Sequence, residues 1–581
     1  MTQKIRLFRS HDLWSKFLDS NPQFFRELKG KLKTRNVIVA AALSVLVQFL
    51  TVVYFLGKLP EPNDKTLYYG RYGVATYNHT IYHSKDEFGH WLVNWQLWWL
   101  DLFIALSIIG IFALLVVGTY MLIADMVKED ARGTLNFIRL TPQSASSILL
   151  GKILGVPILL YGAIALLLPL HLSAGLQSQI PLSFILAFDA IVVGCCAFIY
   201  CLALLWSLLN IGVSGIKSWL ASSTVVFLLC LSTAILVDSG NMKLDRFAAS
   251  LLIFNPAIVL SYLIDAAQFD FGKSFDFLSV SNLATLSFYG QILWTKATIG
   301  MGLILLNFGL WTYWCWSVLK RRFHNPQGTI LSKKHSYWLT TCFIFITLGF
   351  ALQTSFYNGH TFKTQIEHQT DLIIDNFFFL QVCLSLFGLG LIFALSPHRQ
   401  TLHDWARYRH QLDTKSSLLK ELVFGENSPA IVAVALNLAI AFAFITPSIF
   451  IVLSQSEHYI AWGFLLCITN ILLCAVVAQF ILMAKTNKRG VWSIVTVASI
   501  IILPPVCLGI AGVTIKTMPL AWLFSFAPIK AAEHASVSAI AWAILGQWLA
   551  ISVIGLQMTR KLKHAGASET KALMSRAIDR G

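Results

Sequence analysis

The feature that most constrains this chain is the recurrence of apolar runs of about 20 residues, the length that crosses a bilayer as a helix. A backbone in hydrocarbon has to satisfy its own N–H and C=O groups, so such runs fold as helices. Twelve are read here, at roughly 37–57, 99–124, 150–170, 184–208, 218–237, 297–319, 337–353, 374–395, 429–453, 461–484, 492–514 and 537–558. Only 12% of the 581 residues are charged, against about 25% in a soluble domain. The expected fold class is therefore an all-α polytopic membrane protein, with about twelve transmembrane helices in two six-helix halves and an N-terminal interfacial helix. The expected domains are a cytoplasmic interfacial segment over 1–36, a first six-span domain over 37–319, a cytoplasmic linker over 320–336, a second six-span domain over 337–558 and a basic tail over 559–581.

The net charge of +16 is explained by its placement. About three-quarters of the 44 lysines and arginines fall in the segments that an even number of spans puts on one side with both termini. That bias marks the cytoplasmic side and favours contact with anionic lipid, so no nucleic-acid partner is expected. The localisation expected is integral and multi-pass, in a plasma (inner) membrane. The ten cysteines all sit in apolar runs, at neither metal-ligand nor disulfide-framework spacing. No cleavable signal peptide is evident, because charged residues fill the chain ahead of the first apolar run.

One cytoplasmic loop is richer in structural punctuation than the others, KEDARGTLNFIRLTPQSASSILLGK from Lys128 to Lys152. Gly133 is able to end a helix with a positive φ. Thr141-Pro142 reads as a helix start, a hydroxyl cap before a proline at the first position. Between them Leu135, Phe137, Ile138 and Leu140 make a short, apolar-tipped helix that needs a surface to press on, a lipid headgroup layer or a partner protein. Upstream, Phe24, Phe25, Leu28 and Leu32 are expected to share one side of an amphipathic helix in the inner interface.

Other signals are sparser. Trp91, Trp95, Trp98 and Trp99 lead into the second span, as an aromatic belt or as stacking surfaces for a planar substrate. Asn255-Pro256 interrupts an apolar outer stretch, so re-entrant or interfacial helices are expected there. Asn78-His79-Thr80 is a glycosylation sequon. His398, His403 and His410 lie in a basic inner loop, as a solvated face or a metal set. Among acidic residues in spans Asp189 is the clearest, either in a substrate or ion path or as a buried partner to a neighbouring hydroxyl or amide such as Gln48, Gln381 or Asn470. No phosphate-cradling glycine loop is present, since Gly272-Lys273-Ser274 follows Ala267 where the first glycine would stand. There is no HExxH and no CxxC, and no enzyme activity is expected of the chain.

The punctuated loop resembles that of the type-2 ABC exporter permeases, in the order Glu129, Gly133-Thr134-Leu135, Thr141-Pro142 and Gly151-Lys152. The order of elements over about residues 20–320 fits the same family. The resemblance implies a permease that moves a substrate with a separate ATP-binding subunit docked on its cytoplasmic loops. No cofactor belongs to this chain, and ATP and Mg belong to the partner. Glu129 and Arg132 would brace the loop, and Leu135, Phe137 and Ile138 would fill a groove on the ATPase. The chain departs from the family in having Asp130 and Ala131 where a second acidic and a basic residue are common. Family members usually have six spans and dimerise, so twelve suggest two fused halves, which leaves a homodimer or an internal two-half assembly open. In the second half only Thr401-Leu402 remains of the glycine-threonine-leucine signature, after Gln400. The alternative function is an ion-coupled secondary transporter or flippase with Asp189 in the ion path.

Overall fold

The computed structural model describes residues 21–59, 72, 75–78, 80–83, 92–209, 215–237, 247–267, 286–353, 362–411, 418–453, 457–486, 488–525 and 528–566. Among these, eleven helices are long and apolar enough to cross a membrane. The chain is an all-α polytopic integral membrane protein. The twelfth expected span is present as the 19-residue helix Lys333–Ala351, which is not one of the eleven. Its first turn, Lys333-Lys334-His335-Ser336, dilutes the apolar run that follows. One small β-hairpin, Ala75–Asn78 with Thr80–His83, pairs in register Ala75↔His83. Asn78 and Thr80 of the sequon lie at its turn.

The chain divides into two compact units. The first contains α1 (Pro22–Lys31), α2 (Thr34–Leu56), α3 (Trp95–Ala131), α4 (Thr134–Arg139), α5 (Ala145–Gly155), α6 (Ile158–Gln177), α7 (Leu182–Leu208), α8 (Lys217–Val237), α9 (Leu260–Ala266) and α10 (Ala297–His324). Helix α7 packs along α10, α6 lies against α2 and α3, and the lower half of α3 packs on α7 and α8. Span α2 buries almost none of its surface in the protein, as expected of a helix that is apolar all round and faces lipid. The third expected span, 150–170, is two helices, because Val156 and Pro157 separate α5 from α6. A proline ring cannot sit inside a continuous helix without displacing the carbonyl four residues back.

Span α3 is interrupted at its centre by a π-helical turn, Ala113–Val117. Such a turn releases backbone carbonyls from the regular ladder. The Tyr200 hydroxyl donates to the Leu114 carbonyl at 2.7 Å, and the Ser222 hydroxyl donates to Val116 at 3.4 Å. Gly118 makes room for Tyr200, because any Cβ there would collide with the phenol. The interrupted stretch around Asn255-Pro256 is two 3₁₀ segments, Phe247–Phe254 and Pro256–Val259, followed by α9. The Asn255 side chain accepts from the Ala257 N–H at 3.0 Å and donates to Ser232 Oγ at 2.9 Å. Ile258, Val259, Leu260 and Leu263 are buried. This matches a short inserted helix and is too short for a span.

The second unit contains α11 (Lys333–Ala351), α12 (Phe362–Leu395), α13 (Arg399–Gln411), α14 (Leu418–Phe424), α15 (Ile431–Val452), α16 (Tyr459–Leu482), α17 (Arg489–Ile510), α18 (Pro519–Trp522), α19 (Ile529–His534) and α20 (Val537–Gly566), with residues 245–248 and 287–292. Span α16 is its centre, packed by α12, α15, α17 and α20. Polar side chains join the spans. Asn437 donates to Ser336 Oγ at 2.9 Å and accepts from the Thr340 hydroxyl at 2.7 Å, all three buried. Gln381 donates to the Gly463 carbonyl at 2.9 Å. Interhelical bonds of this kind hold helices together where lipid supplies no hydrophobic drive.

Tyr200→Phe removes the phenol donor to the Leu114 carbonyl, which keeps the Gly118 N–H, so the loss is that of one hydrogen bond, about 0.5–1.5 kcal/mol. The expected outcome is a lower unfolding midpoint of the detergent-solubilised protein with its helical content unchanged, read by circular dichroism during heating.

Candidate functional site

The C-terminal end of α3 runs directly into the punctuated loop. Gly133 has φ +70°, a left-handed conformation that glycine adopts without steric penalty. The Thr134 hydroxyl closes the turn on the Glu129 carbonyl at 3.1 Å. Helix α4 then presents two different faces. Leu135 and Ile138 are 4% and 6% exposed, while Phe137 and Leu140 are 74% and 83% exposed. The expected docking set therefore divides. Leu135 and Ile138 are three apart and share the inward side, so they anchor α4 to its own protein. Phe137 stays outward, joined by Leu140.

The start of α5 also differs from expectation. The helix begins at Ala145, with Ser144 Oγ accepting from the Ser147 N–H at 3.1 Å. Thr141 instead donates back to the Ile138 carbonyl at 2.7 Å, and Pro142 is exposed in the turn between the helices. A hydroxyl satisfies either a preceding carbonyl or a following N–H, and Ser144 takes the second role. Arg139 lies over the Phe323 ring, 5.6 Å from its centroid. Burial pulls its pKa below the ordinary arginine value, with Asp130 opposing.

Beneath the loop lies a buried ion cluster. Lys152 on α5 has only 1% of its side chain exposed. Its Nζ contacts Glu27 Oε1 at 2.7 Å, Asp125 Oδ2 at 2.6 Å and Glu129 Oε1 at 2.7 Å. Asp125 and Glu129 are one turn apart on α3, so they point the same way. Glu27 comes from α1. Arg26 pairs with Glu129 from the outer side, and Lys31 reaches Asp125 at 3.4 Å. Three cations thus meet three carboxylates. The three carboxylates offer oxygens within 4.8 Å of one another, a spacing that suits a metal ion, and the Lys152 ammonium occupies that position. Burial alone pulls this ammonium toward neutrality. Asp125, Glu27 and Glu129 more than offset that pull, so its pKa lies above the ordinary lysine value. The expected Glu129–Arg132 brace is not formed. Glu129 turns inward to Lys152, and Arg132 is exposed.

Glycine lets α1 approach closely enough for these contacts. A Cβ on Gly151 would stand 2.8 Å from both Asn21 Oδ1 and the Phe24 nitrogen, and one on Gly155 would overlap the Glu27 side chain. Asn21 Nδ2 donates to the Ser147 carbonyl at 2.8 Å. Ser147, Gly151 and Gly155 form a stripe of small residues that seats α1, the close-approach arrangement of helix pairs in membranes. The buried side of α1 is accordingly Gln23, Phe24 and Glu27, and the apolar side expected from the sequence is split, with Phe25 and Leu32 outside. Sequence reasoning reached Gly151, Lys152 and Glu129 but missed Arg26, Glu27 and Asp125. The signals were present, since Glu27 is the lone acid among residues 21–36 and Asp125 precedes Glu129 by one turn.

Other sequence candidates are dispersed. Asp189 is partly buried in α7 and has no hydrogen-bond or ion-pair partner among the described residues. The amides named as its candidate partners bond elsewhere, Gln48 to Ser44 and Leu166, Gln381 to Gly463 and Asn470 to Ser525. Asp101 accepts from the Tyr72 hydroxyl at 2.8 Å, and His171 meets Ser107 Oγ at 3.0 Å. His398, His403 and His410 form no metal-ligand group among the described residues. All ten cysteines are free. Gly272-Lys273-Ser274 lies outside the described residues.

The second unit carries a different arrangement at its short helix α14. Lys333 Nζ donates to the Leu422 and Pro429 carbonyls at 2.8 and 3.0 Å and to Ser428 Oγ at 2.7 Å. Glu421 on α14 accepts from Arg409 at 2.7 Å and Trp405 at 3.1 Å. Thr401-Leu402, the residue pair left of the loop signature, lies in the 13-residue helix α13, with Leu402 buried against Met483 and Met558. This element is packed along α20 and exposes Tyr408, and the neighbouring α14 exposes Leu419 and Phe424.

No protein-family model, curated protein or solved structure matches the chain.

Removing one member of a buried ion cluster strands the others, at about 3–5 kcal/mol. Lys152→Met is expected to release α1, read as new protease cleavage between residues 22 and 33 in membrane vesicles. The raised Lys152 pKa sets the sign of the pH response. A lysine raised on folding contributes stability that is complete below its unfolded pKa and lost as pH climbs past the folded one. The wild-type α1 cleavage pattern is therefore expected to be unchanged from pH 7 to 9 and to open only on stronger alkalinisation.

Proposed function

We propose that the chain is the membrane-spanning permease of an ATP-driven exporter of the type-2 ABC kind, working with a separate ATP-binding subunit that carries ATP and Mg. The observation that carries this reading is the two-sided construction of α4. Its inward side is fixed by Leu135 and Ile138, and its outward side leaves Phe137 and Leu140 exposed. An exposed aromatic beside an exposed leucine on a rigid helix is the form of an anchor for a partner's groove. The Lys152 cluster beneath it makes the connection stiff, so force on α4 passes into α3 and α1. Movement of α3 at its π-helical turn would then reach the membrane interior. In this reading both termini are cytoplasmic, the membrane is a plasma (inner) membrane, and the eroded element around Thr401-Leu402 makes the docking asymmetric.

The test is co-purification with the ATPase subunit. Phe137→Asp is expected to abolish capture of the ATPase while the chain remains in the membrane at wild-type abundance. Leu135→Asp is expected to lower abundance instead, because it charges a buried position. Retention of the ATPase by Phe137→Asp rejects the docking assignment.

A second reading, an ion-coupled transporter or flippase, is favoured by Asp189, a carboxyl inside span α7 without a partner among the described residues. An unpaired acid in a span is a functional candidate by default. Transport that persists without any ATPase and disappears in Asp189→Asn selects this reading over the first.

A further inference from the structure

We infer that the outward side of α1 and the start of α2 form a binding surface for anionic phospholipid headgroups, independent of any ATPase. Phe25, Lys29 and Leu32 recur at intervals of four and three residues and so line one stripe, opposite the buried Gln23, Phe24 and Glu27. Phe25 and Leu32 are 47% and 48% exposed. Lys33 caps the start of α2, and the side chains of Lys29, Lys33 and Arg35 have no ion-pair or hydrogen-bond partner among the described residues. Glu27, the one acid on this segment, is turned inward and held by Lys152. Cations and large apolar side chains therefore alternate on an exposed surface, with no carboxylate among them.

The position of this surface identifies its occupant. The lipid-facing span begins at Thr34, immediately after Leu32 and Lys33, so the stripe sits where acyl chains give way to headgroups. Phe25 and Leu32 suit the acyl boundary, and Lys29, Lys33 and Arg35 suit phosphate oxygens. A neutral headgroup satisfies the apolar part alone, whereas an anionic one complements both. Close to an anionic surface each such cation favours binding by about five-fold, an advantage that falls with salt.

The full-length protein is placed in nanodiscs of phosphatidylcholine alone and of phosphatidylcholine with phosphatidylglycerol, and amide exchange of the peptide covering residues 24–35 is followed by mass spectrometry. The expected result is exchange at least about five-fold slower with phosphatidylglycerol, the factor of one cation, and reversal of that slowing at high salt. The variant Lys29→Gln with Lys33→Gln and Arg35→Gln is expected to exchange at the phosphatidylcholine rate in both discs. Its peptide 145–155 is expected to match wild type, which reports an intact α1 seat. Equal exchange in the two lipids overturns the inference. Retention of the full phosphatidylglycerol effect by the triple variant also overturns it. Protection in phosphatidylcholine that grows with the number of protein copies per disc identifies a second copy of the chain as the occupant and overturns it as well.

Discussion

A lysine ammonium enclosed by three carboxylates fixes the end of the first unit where α1, α3 and α5 meet. Taking Lys152, Glu27, Asp125 and Glu129 out of water is costly, and the arrangement is tolerable because the opposite charges stand within hydrogen-bond distance. Such a cluster adds little net stability compared with apolar packing. What it supplies is registry, because each partner is useless elsewhere. Helix α1 has one seat, on Ser147, Gly151 and Gly155. The lower end of α3 has one rotation, with Asp125 and Glu129 facing α5. The direction in which α4 leaves α3 follows from that rotation and from the left-handed turn at Gly133.

The spans were legible because hydrocarbon leaves a helix no alternative, and runs of apolar residues mark them without help from tertiary contacts. Even there, Pro157 divided one expected span, and the polar first turn of α11 left it less apolar than the others. The loop was legible in its punctuation and less so in its orientation. Leu135, Phe137, Ile138 and Leu140 are alike in hydropathy, and only packing decides which pair turns inward. Thr141 and Ser144 were equally good caps by residue type. The pairing of Lys152 with Glu27 was out of reach, because the two are 125 residues apart and no local rule links them. Glu129 was recognised as a loop residue for a short-range partner, Arg132, and its actual partners come from α1 and α5.

The two units solve the same problem with different chemistry. In each, a buried lysine holds a short helix that precedes a span, Lys152 from the last turn of α5 and Lys333 from the first turn of α11. Lys152 does so through carboxylates, which carry charge and demand specific geometry. Lys333 does so through two backbone carbonyls and a hydroxyl, acceptors that most sequences could supply. Helix α14 is held as well by the Tyr337 hydroxyl, which donates to the Val423 carbonyl at 2.6 Å, and by the contacts of Glu421 with Arg409 and Trp405.

The seat of α1 also has a consequence for synthesis. Glu27 leaves the ribosome 125 residues ahead of Lys152, and at about 5–20 residues per second the interval is roughly 6–25 s. During that time α2 and α3 have emerged, while the small-residue stripe on α5 and its lysine do not yet exist. The acid on α1 has to remain hydrated at the membrane surface until they arrive.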